Sequence, residues 1–237
     1  MLRHSRAIAV VAIVGTLVLG PISAMAWDWD WSPGTRVTGS GQVSKTQRPV
    51  QGFKSVSLDV ASTVEIIQGE TEGLVIETDD NIAPLIETVV DNGQLKIRST
   101  QRFKSLQPTV LKLTLHVRAL EQISISGSGD VNAQKLQSPT LEVRIAGSGD
   151  VRLAALQTDS LSVSISGAGD FLAAGRADTA RYSIAGSGDA TVWASQTLNV
   201  SIAGSGDVAY YGDATVTRSV AGSGRIRRLG LAPLPGG

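Results

Sequence analysis

Cysteine is absent from all 237 residues of this chain. Disulfides, thiolate chemistry and lipid attachment to cysteine are therefore excluded, and stability must come from packing and backbone hydrogen bonds. Aromatic residues make up only 4% of the sequence, so a core of bulky rings is excluded as well. Apolar residues nevertheless reach 42%, many of them aliphatic, which is enough for a narrow buried core and argues against a disordered chain.

An excess of charge of one sign is also missing, since 21 basic residues balance 21 acidic ones. Removal of residues 1–26 takes away Arg3 and Arg6 and no acid, which leaves 19 basic against 21 acidic residues and a net charge of −2. This balance gives no electrostatic basis for binding nucleic acid or an anionic membrane surface. We therefore expect neither as a partner.

The first 26 residues have the pattern of an export signal. Arg3 and Arg6 form a basic start, residues 7–20 are an apolar run, and the tripeptide AMA ends the segment as a small-residue cleavage site. The apolar run is shorter than the roughly 20 residues that a membrane-spanning helix needs. We predict cleavage before Trp27, no stable transmembrane anchor afterwards, and a location in the periplasm, at the cell surface or outside the cell. An uncleaved anchor is the alternative.

One phrase of four residues, G-[SA]-G-[DR], occurs six times in the second half of the chain, at intervals of 18 to 20 residues. Its first glycines are Gly127, Gly147, Gly167, Gly186, Gly204 and Gly222. The residue two positions before each of them is aliphatic: Ile125, Ile145, Ile165, Ile184, Ile202 and Val220. Apolar and polar residues alternate on both sides of the phrase, which indicates strands with one buried face. Each unit is predicted to be a strand, a glycine corner, a second strand and a polar turn.

Two all-β architectures satisfy this repeat. Each unit is either one coil of a parallel β-helix, with like residues stacked every ~4.8 Å, or one hairpin of an antiparallel meander or sandwich. Repulsion between stacked aspartates favours the meander slightly, whereas the aliphatic columns and the lack of a two-residue hairpin signature favour the β-helix. We predict the β-helix and keep the antiparallel arrangement as the alternative. In both, the glycines supply unusual backbone angles and the aspartates accept backbone hydrogen bonds at the corner.

The ordered series of GSGD phrases resembles the putative autotransporter adhesin head GIN domain family. The likeness extends over about residues 37–229 and includes the segments VTGSGQV, GFKSVSLDVASTVEIIQGE and LVIETDDNIAPLIETVVDNGQLKI. It implies a single-stranded right-handed parallel β-helix, and it implies an adhesin-like role by association only. We accordingly divide the chain into four parts: a signal peptide (1–26), a flexible segment rich in Trp and Asp (27–36), the β-helix (37–229) and a C-terminal tail (230–237).

Residues 37–120 are predicted to be degenerate coils of the same solenoid. Val64 takes the position of Val131 if the segment ASTV replaces GSGDV. One short helix is predicted from Asn81 to Val90, before a turn at Asn92 and Gly93. Its expected features are a cap at Asp79, Asp80 or Asn81 and a proline, Pro84, in the first turn.

The last coil is predicted to be polar. Arginines replace apolar or acidic residues of their columns at Arg218, Arg225 and Arg228. A solenoid needs a polar end because an open coil exposes strand edges and core. We expect Arg225 to pair with Asp207 across the last two corners, with a small gain because both are on the surface.

Catalytic chemistry is not expected. His116 is the only histidine beyond the predicted signal, and a histidine within a strand is more often structural than catalytic. The fourth position of the phrase forms a column of acids: Asp130, Asp150, Asp170, Asp189 and Asp207. All five have the same environment, so nothing separates a general acid from a general base.

A cation bound along these five aspartates is kept as a hypothesis, since carboxylates and turn carbonyls are suitable calcium ligands. The known calcium-binding repeat of nine residues has a second glycine turn, which this longer unit lacks. We therefore expect no metal site otherwise, and no cofactor.

Two surfaces are candidates for binding. The first is a flat strip of small side chains, three positions before the glycine, that includes Ser124, Ser164, Ser183, Ser201 and Ser219. It would allow close approach of a glycan, an envelope protein or a second copy of the chain; the alternative is an ordinary solvated surface. The second is the segment WDWDW, in which Trp27, Trp29 and Trp31 share one side and could stack on a sugar or a partner. Its alternative is a terminus that is disordered or lies against the solenoid.

Together these features predict an exported, non-catalytic β-solenoid that acts as an adhesin-like or envelope binding module. The alternatives are a structural envelope protein without a specific ligand and a carbohydrate-active β-helix enzyme. Neither the ligand nor the oligomeric state follows from the sequence.

Overall fold

The structure is a computed structural model, and it describes residues 36–100 and 105–231. The predicted signal peptide and the tryptophans Trp27, Trp29 and Trp31 lie outside these ranges. Within them 69% of the residues lie in strands, and there is almost no helix. The first nine strands are β1 (Val37–Thr38), β2 (Val43–Arg48), β3 (Ser55–Asp59), β4 (Thr63–Gln68), β5 (Gly73–Asp79), β6 (Ile86–Asp91), β7 (Gln94–Ser99), β8 (Leu106–Gln107) and β9 (Leu111–Val117). The strands that follow are β10 (Gln122–Gly127), β11 (Asp130–Ala133), β12 (Leu136–Gln137), β13 (Thr140–Gly147), β14 (Val151–Gly167), β15 (Phe171–Gly186), β16 (Ala190–Gly204), β17 (Val208–Tyr211), β18 (Thr215–Gly222) and β19 (Ile226–Gly230).

The repeat forms a stack of parallel coils. Ile145 pairs in register with Ile165, and Ile165 pairs with Ile184, one coil further along. All three side chains are buried and belong to one continuous core. The molecule is a parallel β-solenoid of about five turns, so the β-helix prediction is confirmed and the antiparallel meander is wrong for the repeat.

Three strands are long because they continue around a corner of the solenoid. In β14, Val151–Leu153 pairs with β11, whereas Ser160–Gly167 pairs with β13, so one strand takes part in two ladders. The strands β15 and β16 do the same. Differences in coil length are absorbed at register shifts away from the GSGD corner, such as the one between Leu172 and Arg176.

Aliphatic columns fill the core, and two aromatic rings interrupt them. Tyr182 replaces the valine of neighbouring coils, and its ring lies 6.0 Å from that of Phe171, centroid to centroid. The Tyr182 hydroxyl is buried and has no hydrogen-bond partner within the described residues. Burial away from water disfavours the phenolate and raises the pKa of Tyr182 well above its usual value.

The N-terminal part combines one parallel coil with antiparallel strands. The strands β3 and β4 stack beneath β10 and β11, and Val64 is the register partner of Val131, as predicted. Below them, β5 pairs antiparallel with both β2 and β9, and β6 pairs antiparallel with β7. The degenerate coils are thus capped by hairpin-like pairing at the start of the solenoid.

The predicted helix from Asn81 to Val90 is present only as a single 3-10 turn, Ala83–Leu85, and the rest of that range is strand β6. Pro84 does lie in the first turn, but the capping residue is Ile82, which makes no side-chain cap. The reason is the hairpin: Asn92 and Gly93 have positive φ of 50° and 75°, as a tight two-residue turn requires, and they fold β6 back onto β7.

The buried carboxylate of Asp79 connects the segments around Gly41 and Thr109. Asp79 accepts hydrogen bonds from the backbone N–H of Gly41 (2.7 Å) and from both the N–H (2.7 Å) and the hydroxyl (2.9 Å) of Thr109. Burial raises the pKa of the Asp79 carboxyl, but these donors outweigh it and hold the pKa below its usual value. A side chain at Gly39 would overlap this carboxylate, which explains the glycine there.

Candidate functional site

The GSGD corner is built so that each coil rests directly on the one before it. The first glycine of the phrase has a positive φ, 135° at Gly147, and a side chain there would lie 2.2 Å from the carbonyl oxygen of Gly127. The second glycine is equally tight, since a Cβ at Gly149 would lie 2.2 Å from the carbonyl oxygen of Gly129. The backbone N–H groups of Ser148 and Gly149 both donate to the Gly127 carbonyl. Contact between coils therefore requires both glycines, and the positive φ of the turn independently favours glycine at the first position.

The five aspartates form a hydrogen-bonded ladder along the solenoid. Oδ1 of Asp170 accepts from the backbone N–H of Asp189 in the next coil (2.8 Å), and Oδ1 of Asp189 accepts from Asp207 (2.7 Å). The same bond recurs between the other neighbours, at 2.7 to 3.2 Å over the whole series. The aspartates therefore accept backbone hydrogen bonds as expected, and the donor is a backbone N–H of the next coil. We call Asp130, Asp150, Asp170, Asp189 and Asp207 the aspartate ladder.

The ladder explains why the last phrase ends in arginine. The backbone N–H of Arg225 donates to Oδ1 of Asp207 (2.8 Å), so the expected contact between these residues is a backbone hydrogen bond and the predicted side-chain pair is wrong. No further coil of the described chain lies beyond Arg225, so no acceptor is needed at that position. At the other end of the ladder, the Asp130 N–H donates to the carbonyl of Ser62 (2.8 Å).

The ladder is exposed to solvent in its later coils, at Asp170, Asp189 and Asp207. Asp150 also makes an ion pair with Arg152 (2.7 Å). Within residues 36–100 and 105–231 there is no group of three or more His, Asp or Glu side chains placed to hold a metal ion. Cation binding along the ladder stays a prediction.

The predicted strip of small side chains lies on the outer face of the ladder that contains β10, β13 and β14. Its members pair in register from coil to coil: Ser124, Arg144, Ser164, Ser183, Ser201 and Ser219. A second outward column beside it contains Ser126, Ala146, Ser166, Ala185, Ala203 and Ala221. Arg144 breaks the uniformity, and it is held by an ion pair with Glu142 (2.6 Å). We call these two columns the small-residue face.

The structure places His116 away from both the aspartate ladder and the small-residue face. It points outward from β9, and it lines a shallow groove of about 560 Å³ together with Gln47, Thr71, Glu72 and Val75. Glu72 accepts a hydrogen bond from the Gly52 N–H (2.8 Å) and pairs with Arg118 (3.2 Å), so its carboxylate is already engaged.

The last described coil is polar, as the three arginines predict. Arg218 occupies the apolar column above Val200 and is exposed, and Arg228 donates to the Gly212 carbonyl (2.8 Å). Val220, at the end of the isoleucine column, is 42% exposed.

A cluster that the sequence did not indicate lies on the other outward surface, near this end. Trp193 pairs in register with Tyr211 in the coil above and with Arg176 in the coil below. Alternation along β16 buries Val192 and Ala194 and leaves Trp193 facing outward, partly exposed. Alternation and the shared repeat position of Trp193 and Tyr211 were the available signals, whereas the register shift between β15 and β16 hides Arg176 as a neighbour.

A search of the described residues for helices that could span a membrane finds none.

A family model described as putative auto-transporter adhesin, head GIN domain, matches residues 52–232. No curated protein matches the chain.

Several solved structures have the same fold. A putative adhesin from Bacteroides fragilis is 24% identical with a TM-score of 0.72, over 81% of this chain and 100% of its own. A putative lipid binding protein from Parabacteroides distasonis is 22% identical with a TM-score of 0.60, over 82% and 100%. A putative adhesin from Parabacteroides merdae is also 22% identical, with a TM-score of 0.57 over 82% and 99%. At these identities the likeness shows the fold alone.

Proposed function

Because the chain belongs to the putative auto-transporter adhesin, head GIN domain, family, we propose that it is an exported binding module of the cell envelope with no catalytic role. The observation that carries this proposal is the small-residue face. Two adjacent columns of serine and alanine, interrupted by Arg144, face outward along six phrases of the repeat and pair in register from coil to coil.

The geometry of this face suits contact with an extended partner. Successive coils are spaced by about 4.8 Å, so each side chain of a column repeats at the spacing of the backbone ladder. Small side chains lose little conformational entropy when a partner covers them, which makes close approach inexpensive. Ser164, Ser183 and Ser201 also offer hydroxyl groups that both donate and accept hydrogen bonds.

Two further observations support a role without catalysis. Oδ1 of each ladder aspartate is occupied by a backbone N–H of the next coil, which gives those carboxylates a structural task. His116 lies on a different strand, outside the repeat, and no ladder aspartate lines its groove. An acid, a base and a nucleophile would have to converge on one point for catalysis, and these groups do not.

Export is supported by the sequence of residues 1–26, with its basic start, apolar run and small-residue end. The test is to express the full chain and separate cytoplasm, membranes, periplasm and medium, with Arg3→Glu and Arg6→Glu together as the matched variant. We expect a mature protein beginning near Trp27 outside the cytoplasm, and retention of the variant inside. Recovery of the unprocessed chain in the cytoplasm would contradict export.

Binding is tested with labelled protein on isolated envelope fractions. Ser183→Arg combined with Ser201→Arg places two large charged side chains on the small-residue face, and Ala154→Arg places one on the other outward surface as the control. We expect the double variant to lose binding while the control keeps it, with both retaining the far-ultraviolet spectrum of the parent. If the parent itself binds no fraction, the structural alternative without a ligand is favoured.

A further inference from the structure

Of the six aromatic residues that the structure describes, four pack in or against the core: Phe53, Phe171, Tyr182 and Tyr210. The two others, Trp193 and Tyr211, are register neighbours on one outward face. Aromatic residues are rare in this chain, so two partly exposed rings in adjacent coils need an explanation. The exposed part of a ring is not buried in the core and does not stabilise it.

The Trp193 ring lies next to the backbone of Gly212. A Cβ added to Gly212 would be 3.1 Å from Cδ1 and 3.2 Å from Nε1 of the indole, so the ring and this glycine are in contact. Gly212 has φ of 101°, which favours glycine independently. Within residues 36–100 and 105–231, neither Nε1 of Trp193 nor the Tyr211 hydroxyl has a hydrogen-bond partner, and neither atom is buried. Both donors are therefore available to a ligand.

Polar groups border the two rings on either side. On one side Arg176 pairs with Asp178 (2.7 Å), and the Ser195 hydroxyl donates to the same carboxylate (2.9 Å). On the other side Arg228 donates to the Gly212 carbonyl (2.8 Å) and pairs with Asp213. These pairs hold the polar side chains in place next to the rings, and half or more of the Arg176 and Asp213 side chains is open to solvent.

We propose that Trp193 and Tyr211 form a glycan-binding platform that takes a β-linked chain of pyranose sugars. Equatorial hydroxyls leave the C–H groups of such a ring as an apolar face, which stacks on indole and phenol rings. The hydroxyl edge then meets Arg176, Asp178, Ser195 and Asp213, which supply both donors and acceptors. Adjacent strands are about 4.8 Å apart, close to the length of one pyranose unit, so successive sugars can meet successive coils.

The platform goes beyond the proposed function, because it is a second binding site and has its own class of ligand. It lies on a different outward surface from the small-residue face, so the two can be tested separately. Neither ring takes part in the aspartate ladder, and replacing them leaves the GSGD corners intact.

The experiment is a calorimetric titration of the full chain with cellohexaose, chitohexaose and laminarihexaose at millimolar concentration. We expect at least one to bind, and Trp193→Ala and Tyr211→Ala each to weaken that binding about tenfold. Trp193→Phe, which keeps a ring and loses the Nε1 donor, is expected to fall between. Leu172→Ala is the matched control and should bind as the parent does. Leu172 is an exposed apolar residue whose register partner, Thr191, lies two positions before Trp193.

Thermal unfolding of every variant separates a lost platform from a lost fold. Binding that survives Trp193→Ala, or that disappears when Trp27, Trp29 and Trp31 are replaced by alanine, would place the glycan elsewhere and overturn the inference. Failure of all three oligosaccharides to bind the parent would overturn it too. Neither result touches the envelope-binding test, whose readout depends on Ser183 and Ser201.

Discussion

Replacement of Asp170 by alanine tests whether the aspartate ladder holds successive coils together. The change removes the acceptor that Asp170 offers to the Asp189 N–H at 2.8 Å. A hydrogen bond to a charged acceptor contributes about 1.5–3 kcal/mol, and solvent exposure of Asp170 favours the lower end. The alanine also relieves repulsion from Asp150 and Asp189, about 0.9 kcal/mol each in water at ~4.8 Å and roughly half of that at physiological salt.

The two effects leave a net loss of about 1 kcal/mol for Asp170→Ala. Asparagine keeps an oxygen acceptor and removes the charge, so Asp170→Asn is expected to unfold close to the parent. Urea unfolding followed by circular dichroism measures both, with the exposed Asp159→Ala as the control. The alanine effect should grow as salt is added, since salt screens the repulsion whose relief had offset it. If asparagine destabilises as much as alanine, or Asp159→Ala as much as Asp170→Ala, the oxygen is not acting as an interlocking acceptor.

Three further predictions concern packing and ionisation. Tyr182→Phe removes a buried hydroxyl without a partner and should raise the free energy of unfolding by about 1–2 kcal/mol; a loss of similar size in urea unfolding would show that the hydroxyl is hydrogen-bonded. Because burial raises the pKa of Tyr182, the parent but not this variant should lose stability as the pH rises above about 10. Gly149→Ala should destabilise by about 3 kcal/mol in the same assay, because its Cβ would lie 2.2 Å from a carbonyl, whereas Gly69→Ala, with open space, should be tolerated. The lowered pKa of Asp79 gives stability that is present above about pH 4 and lost as the pH falls further, and Asp79→Asn should abolish that part of the acid dependence in pH-dependent unfolding.

The coils of the repeat could be predicted because the same pattern of aliphatic residues and glycines occurs six times. Aliphatic residues such as Ile165 and Ile184 recur at one distance from each glycine corner, and stacking of the coils buries all of them together. The part before the repeat was harder. Residues 86–90 form a strand where a helix is predicted. Asn92 and Gly93 are typical of a hairpin turn, and they allow this strand to pair with β7.

The neighbours of a residue across coils could be predicted only near the GSGD corner. Coil length is constant on that side, so Val64 and Val131 could be matched from sequence. On the other side the register shifts between Leu172 and Arg176, and counting residues no longer finds the partner. Trp193 meets Arg176 through that shift, so this neighbour could not be found by counting. Tyr211 lies seven residues after its glycine corner, as Trp193 does, so counting along the repeat does find that neighbour.

The aliphatic columns and the GSGD corner do different work in specifying this fold. A slip of one coil by two residues would keep apolar side chains facing inward, since the strand period is two, so the columns alone leave the register open. The same slip would set a side chain against one of the two carbonyls that now face Gly147 and Gly149, and it would separate the Asp170 carboxylate from the Asp189 N–H. In a wrong register a side chain would clash with a carbonyl that now faces glycine. In the correct register each aspartate accepts a hydrogen bond from the next coil. The corner is therefore repeated with little variation because each new coil has to be placed on the last, while the opposite turn is free to change length.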